Sequence, residues 1–244
     1  MRKEEFLDLT YTSQEIEEKF QEIYGRVLTQ SDNLCKGNYT LIAACDLRLL
    51  FELYDQKFFD GFFTSNYKDN MRFRLSKRMT RAAGKTQLLK DNGFMIALST
   101  TLVFQTFNDI KREIRVNGLV CKDRLEVTMR VLEHEIVHVI EYILFGTSSC
   151  SKPRFKRLAS NIFGHTEVTH QLVTQTEIAH KNYNLRLGDN VSFEYGGGTY
   201  EGFVDRITKR ATVMVKDREG PFIDSKGNRY TKFYVPLHHL RKVD

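Results

Sequence analysis

His134, Glu135 and His138 carry the clearest chemistry in this chain, standing together as His134-Glu135-Ile136-Val137-His138. On a helix, positions i and i+4 share a face, so the two imidazoles can close on one Zn²⁺. Glu135, beside them, can take a proton from a water attacking a carbonyl carbon, the chemistry of metal-assisted peptide hydrolysis. A catalytic zinc wants a third protein ligand and one open position. Cys150 lies 12 residues past His138, in a loop that turns back from the helix, and a thiolate ligates zinc well. His165 and His170 lie beyond a further helix of about ten residues, roughly 15 Å long. The spacing leaves open whether Cys150, His165, His170 or no further protein group completes the site.

The elements that must position these groups are legible as patterns. Residues 123–145 read as one long helix, apolar at Leu125, Met129, Leu132, Ile136, Val139, Ile140 and Ile143, and so buried on most sides. A small polar loop follows at 146–151, and Pro153 suits the first position of a helix running to about Phe163. Upstream, Leu47, Leu50, Phe51, Tyr54 and Phe58 recur at helical spacing until the turn signal Asp60-Gly61. Residues 71–76 alternate as a strand, and 94–99 form a second, apolar one. Between them, 78–86 reads as a basic turn. After about Leu172 the texture changes to short alternating segments, 190–195, 200–207, 211–215 and 229–235, punctuated by glycines. These read as a small all-β barrel, with the boundary at 173–186.

The balance of 37 basic against 31 acidic residues gives a net charge of +6, which permits a polyanionic partner. Residues 71–90 hold Arg72, Arg74, Lys77, Arg78, Arg81, Lys85 and Lys90 with no acid and with Phe73 among them. Arg72, Arg74, Arg78 and Arg81 are the candidate nucleic-acid contacts, the plain alternative being a solvated strand face. Lys152, Arg154, Lys156 and Arg157 can continue that track. Residues 1–33, with 8 acids against 4 bases, read as a solvated helical arm or a partner-binding extension. Four cysteines without a CxxC pair exclude a disulfide-rich fold and a four-cysteine zinc ribbon. No apolar run approaches the roughly 20 residues of a membrane span, and the N-terminus is unlike a signal peptide. The expectation is a protein of a reducing, intracellular compartment (nucleus, cytoplasm or a virus-infected cell) with no membrane partner.

The order of four stretches over roughly 46–172 resembles the SprT-like (Spartan-type) zinc metalloprotease family. They are Leu50-Phe-Glu-Leu-Tyr-Asp-Gln-Lys-Phe-Phe-Asp-Gly, Ser76-Lys-Arg-Met-Thr-Arg-Ala-Ala-Gly-Lys-Thr, Ile96-Ala-Leu-Ser and Leu132-Glu-His-Glu-Ile-Val-His. Phe155-Lys-Arg-Leu-Ala and Phe163-Gly-His-Thr are similar to the family's following helix, most of all in members from large DNA viruses and plastid-bearing lineages. The resemblance implies an α+β, zincin-like domain in which the HExxH helix packs on a small sheet. It implies Zn²⁺ on His134 and His138, Glu135 as the catalytic base, and a protein substrate held on or crosslinked to DNA, so DNA is an expected partner. The family's third ligand is the histidine of a His-Gly-Pro-x-Phe stretch, where this chain has Ser151-Lys152-Pro153-Arg154-Phe155. Neighbouring Cys150 is the first substitute and His165 the second. The organisation expected is a helical extension at 1–38, a SprT-like domain at 39–174 and a barrel at 186–244. Gly188-Asp-Asn-Val-Ser-Phe resembles the opening strand of KOW, Tudor and Src-homology-3-like barrels, and the family's C-terminal zinc ribbon has no counterpart. The rival readings are a catalytically idle scaffold that binds nucleic acid and an RNA-associated factor.

Overall fold

The apolar run bearing His134 and His138 forms a single helix, α5 (Arg124–Phe145), on which every residue from Arg124 to Val137 is buried. Its ends follow local rules. Asp123 caps the start by accepting from the Glu126 amide at 2.9 Å, and Gly146 ends it in the left-handed region at φ 67°. The computed structural model describes residues 2–108 and 110–243, and the chain divides into two compact units, Met1–Leu172 and Val173–Asp244.

In the first unit, α1 (Ser13–Gln30), α2 (Ala44–Phe58) and α3 (Phe62–Tyr67) precede a three-stranded sheet of β1 (Met71–Ser76), β2 (Gly84–Leu88) and β3 (Phe94–Ser99). The strand order is β1-β3-β2, with β1 parallel and β2 antiparallel to β3. A short helix α4 (Thr100–Gln105) and a hairpin of β4 (Ile114–Val116) and β5 (Leu119–Cys121) lead into α5, and α6 (Pro153–Phe163) follows it. As the sequence predicts, α6 begins on Pro153, and Gly164 ends it.

The arm expected at the N-terminus is instead packed. Ile16, Phe20, Ile23 and Val27 are buried, spaced as one face of α1. Ahead of it Phe6 is fully buried, its ring edge-on to Phe62 at 4.9 Å. The acids of this segment lie on the opposite, solvated face, which is why composition alone suggests an arm. The basic turn between the two expected strands contains a third strand, β2, whose Gly84 and single apolar residue give no strand pattern.

The second unit is built from α7 (Gln175–Tyr183) and an antiparallel sheet of β6 (Asn190–Tyr195), β7 (Gly198–Ile207), β8 (Arg210–Lys216), β9 (Phe222–Ile223), β10 (Arg229–Pro236) and β11 (Arg241–Lys242). The strand order is β11-β6-β7-β8-β10-β9. The stretch expected as a boundary is therefore largely helix α7, capped by Thr174, with Ala179 in this unit's core beside Val191, Val204 and Val213. Among the described residues, no helix is long and apolar enough to cross a membrane.

Candidate metal centre

His134 and His138 sit one turn apart on α5 with their Nε2 atoms 3.2 Å apart. The second nitrogen of each ring is fixed by an oxygen. His134 Nδ1 lies 3.2 Å from Asn117 Oδ1, an atom that only accepts, so Nδ1 carries the proton. His138 Nδ1 lies 2.6 Å from Ser148 Oγ, whose own hydrogen goes to Glu141 Oε2 at 2.6 Å, so here too Nδ1 donates. Both Nε2 lone pairs thus face one another. Burial holds both imidazoles neutral, with His138 pushed down to about 4 and His134 to about 2, the latter aided by the neighbouring His170 and His138. Two ligands each about 2.0–2.1 Å from a tetrahedral zinc stand about 3.3 Å apart. The facing pair has that separation and that protonation, so the residues present fit the metal.

Cys150 completes the group. Ligand atoms of His134, His138 and Cys150 all lie within 4.8 Å of one another. His165 and His170 are outside it. His165 Nε2 is 2.8 Å from Glu133 Oε2, and His170 Nε2 is 3.0 Å from Asn117 Oδ1. The aromatic ring of Phe155 from α6 lies against both ligand imidazoles, its centroid 4.9 Å from that of His134 and 4.6 Å from that of His138.

Glu135 points to the sheet side of α5. Thr86 on β2 sets its hydroxyl 2.7 Å from Glu135 Oε2 and 3.1 Å from the Glu135 carbonyl oxygen. The strand can come this close because residue 84 is glycine. A Cβ there would stand 2.3 Å from Glu135 Oε1. Burial pushes this carboxyl up to about 8, against the pull of the Thr86 hydrogen bond. Such a group sits near the pKa a general base needs at neutral pH.

Beneath the ligands lies a buried ion network. Glu133 accepts from Tyr54 Oη at 2.8 Å, from Arg130 Nη1 at 3.0 and 3.2 Å, and from His165. Burial acts to raise this carboxyl, but Arg130, His165 and Tyr54 outweigh it and hold it below the usual range. Glu141, fully buried, anchors the Cys150 loop by accepting from Ser148, from the Ser149 amide at 2.9 Å and from Arg154 Nε at 2.7 Å.

The basic residues divide. Arg72, Arg74, Arg78 and Arg81 are all exposed. Arg72 is paired with Asp91, while Arg74, Arg78 and Arg81 make no ion pair among the described residues. Arg154, expected to extend the cationic track, is instead committed to Glu141 and to the Phe145 ring, 4.4 Å from its guanidinium carbon.

Asn117 is absent from the candidates that the sequence offers. Its one signal is Asn117-Gly118 between Ile114-Arg-Val116 and Leu119-Val-Cys121, the pattern of a two-residue hairpin turn with both turn residues at positive φ. Ser148, Glu141 and Thr86 carry no comparable signal, because hydrogen-bond support from loops and strands has no fixed spacing.

A family model described as the SprT-like family matches residues 47–180. No curated protein matches the chain.

Proposed function

Since the chain belongs to the SprT-like family, we propose that it is a zinc-dependent endopeptidase acting on proteins held on or crosslinked to DNA. The ligands in this reading are His134, His138 and Cys150, and Glu135 is the base. The observation that carries it is the facing pair of Nε2 lone pairs at 3.2 Å, each fixed by an acceptor behind its ring.

Bound zinc would supply Lewis acidity to the scissile carbonyl. The chain's own groups do the rest. Thr86 engages Glu135 Oε2, while Oε1 makes no hydrogen bond among the described residues and is the atom that would take the proton from the attacking water. The same oxygen would return that proton to the leaving amine. β2 is an edge strand of its sheet, so an extended substrate can pair with it as an added strand, placing its backbone along the Glu135 side of α5. Arg74, Arg78 and Arg81, on and beyond β1, offer unpaired charge to a phosphate backbone. The domain reading is a SprT-like unit at 39–174, with residues 186–244 as a Src-homology-3-like barrel that docks the enzyme on its substrate.

Zinc stoichiometry of the purified chain tests the centre, and cleavage of an unstructured peptide tests the chemistry. The parent should hold one zinc, His134→Ala and Cys150→Ala should lose it, and Glu135→Gln should keep zinc and lose cleavage. Full zinc content in His134→Ala would overturn the assignment. Replacing Arg74, Arg78 and Arg81 by glutamine should weaken DNA binding and lower the salt slope by nearly one unit for each phosphate no longer neutralised. The thiol at Cys150 favours a second reading, a metal-binding scaffold with little activity. A parent that holds zinc yet leaves both peptide and DNA-held protein intact would select it.

A further inference from the structure

We propose that Asn117 is the positioning residue of the metal centre, fixing the His134 tautomer and tying the 165–170 loop to the site. The inference rests on the zinc reading above for its consequence, and on geometry alone for its cause.

The Asn117 side chain is fully buried, and its orientation is not ambiguous. Nδ2 stands 2.7 Å from the Arg130 carbonyl oxygen, which can only accept, so the amide nitrogen must lie there and Oδ1 must face the other way. On that other side Oδ1 meets His134 Nδ1 at 3.2 Å and His170 Nε2 at 3.0 Å. Both lone pairs of one oxygen are therefore used by two imidazole N–H groups. The first fixes the proton of His134 on Nδ1 and leaves Nε2 bare. The second holds the His170 ring beside His134, with centroids 4.8 Å apart.

The backbone of Asn117 makes this support rigid. Its N–H donates to the Thr169 carbonyl at 2.8 Å, and its carbonyl accepts from the Thr166 and Glu167 amides at 3.1 Å each. Residue 117 sits in the left-handed region at φ 55°, where asparagine is tolerated better than most side chains. Few residue types satisfy all of this. Glycine would make the turn but carry no acceptor, and most other side chains would strain the turn.

The experiment uses the full-length protein and two readouts. The first is long-range ¹H–¹⁵N correlation of the histidine rings in the metal-free protein near neutral pH. The second is zinc affinity by competition with a chromophoric chelator. Asn117→Gly keeps the turn and removes the amide. Asn117→Asp keeps the acceptor towards His134 but sets an oxygen in place of Nδ2 against the Arg130 carbonyl. The parent should show His134 protonated on Nδ1. Asn117→Gly should show a mixture of tautomers and bind zinc about 10- to 100-fold more weakly, the usual cost of losing an outer hydrogen bond to a ligand. A folded Asn117→Asp should keep His134 protonated on Nδ1 although it loses the hydrogen bond to the Arg130 carbonyl, a rescue that a purely structural role would not require. The proposal is overturned if the glycine variant keeps both tautomer and affinity, or if a folded aspartate variant shows the glycine variant's mixture of tautomers. Should the glycine variant not fold, the parent spectrum decides, and His134 protonated on Nε2 overturns the proposal. A parent with the expected tautomer that takes up no zinc would sink the peptidase reading and leave the role of Asn117 in the tautomer standing.

Discussion

Replacing Glu133 by glutamine should destabilise the first unit more than any change of equal size on its surface. The carboxylate is fully buried and accepts from Tyr54, Arg130 and His165, while the Arg130 side chain is 9% exposed. Glutamine keeps the shape but turns one acceptor into a donor among three donors, and leaves the guanidinium buried without its counter-charge. Breaking a buried pair from one side costs about 3–5 kcal/mol. At about 2–4 °C per kcal/mol for a unit of this size, the midpoint should fall by roughly 6–20 °C. Arg130 also lies over the Phe20 ring, 3.7 Å from its centroid, so part of its environment survives the change. The assay is thermal unfolding by near-ultraviolet circular dichroism of four proteins: parent, Glu133→Gln, Arg130→Met and the double variant. Because the two groups answer each other, Arg130→Met should cost far less in the glutamine background than alone, or even recover stability. Additive losses, or a fall below about 1 kcal/mol for Glu133→Gln, would refute the claim that this pair is a coupled buried network.

Two further outcomes follow from the site. Glu135 has its carboxyl raised to about 8 in the folded chain, so the folded state holds a proton that the unfolded state releases near its ordinary pKa, and this group's contribution to stability falls as pH rises toward 8. His134, His138, His165 and His170 are all held below their ordinary values and act in the opposite sense as pH passes through the unfolded histidine value near 6.5, so the test is a difference: from about pH 6.5 to 8 the urea midpoint of the metal-free parent should fall relative to that of Glu135→Gln. Equal slopes in the two proteins would remove Glu135 as the cause. Ser148→Ala breaks the link from His138 to Glu141 and should weaken zinc binding about 10- to 100-fold, while the stranded His138 N–H and the donor lost to Glu141 should cost the metal-free chain about 1–3 kcal/mol, measured by chelator competition and calorimetry.

The parts of this fold that repeat with a period are legible in the sequence, and those set by a single contact are not. α5 declares itself through its apolar run and α6 through Pro153, because helix packing and capping act over neighbouring residues. His134, Glu135, His138 and Cys150 are legible as residue types whose spacing suits one ion. β2 escapes a reading of the sequence because an edge strand beside a helix needs little apolar alternation, and its role depends on Gly84 and Thr86 meeting a glutamate some 50 residues later. α1 reads as an arm because composition counts all faces of a helix equally, while only Ile16, Phe20, Ile23 and Val27 decide where it lies. The choice among Cys150, His165 and His170 turns on which histidine has another partner. Glu133 and Asn117 claim two of them, and no local pattern announces either.

The packing of residues 6–27 has a consequence for how this chain is made. Tyr11 gives its amide hydrogen to Asn161, and Phe20 is capped by Arg130. This segment leaves the ribosome well before α6, so the Tyr11 amide finds its partner 150 residues later. At roughly 5–20 residues per second, that interval is about 8–30 s. Over that time the apolar face of Phe6, Ile16, Phe20, Ile23 and Val27 is covered in stages, Phe6 by Phe62 some 56 residues on and Phe20 by Arg130 some 110 residues on. The five acids of the same segment then act as its solubilising face, keeping what is still uncovered of the stripe from neighbouring chains until α6 has emerged.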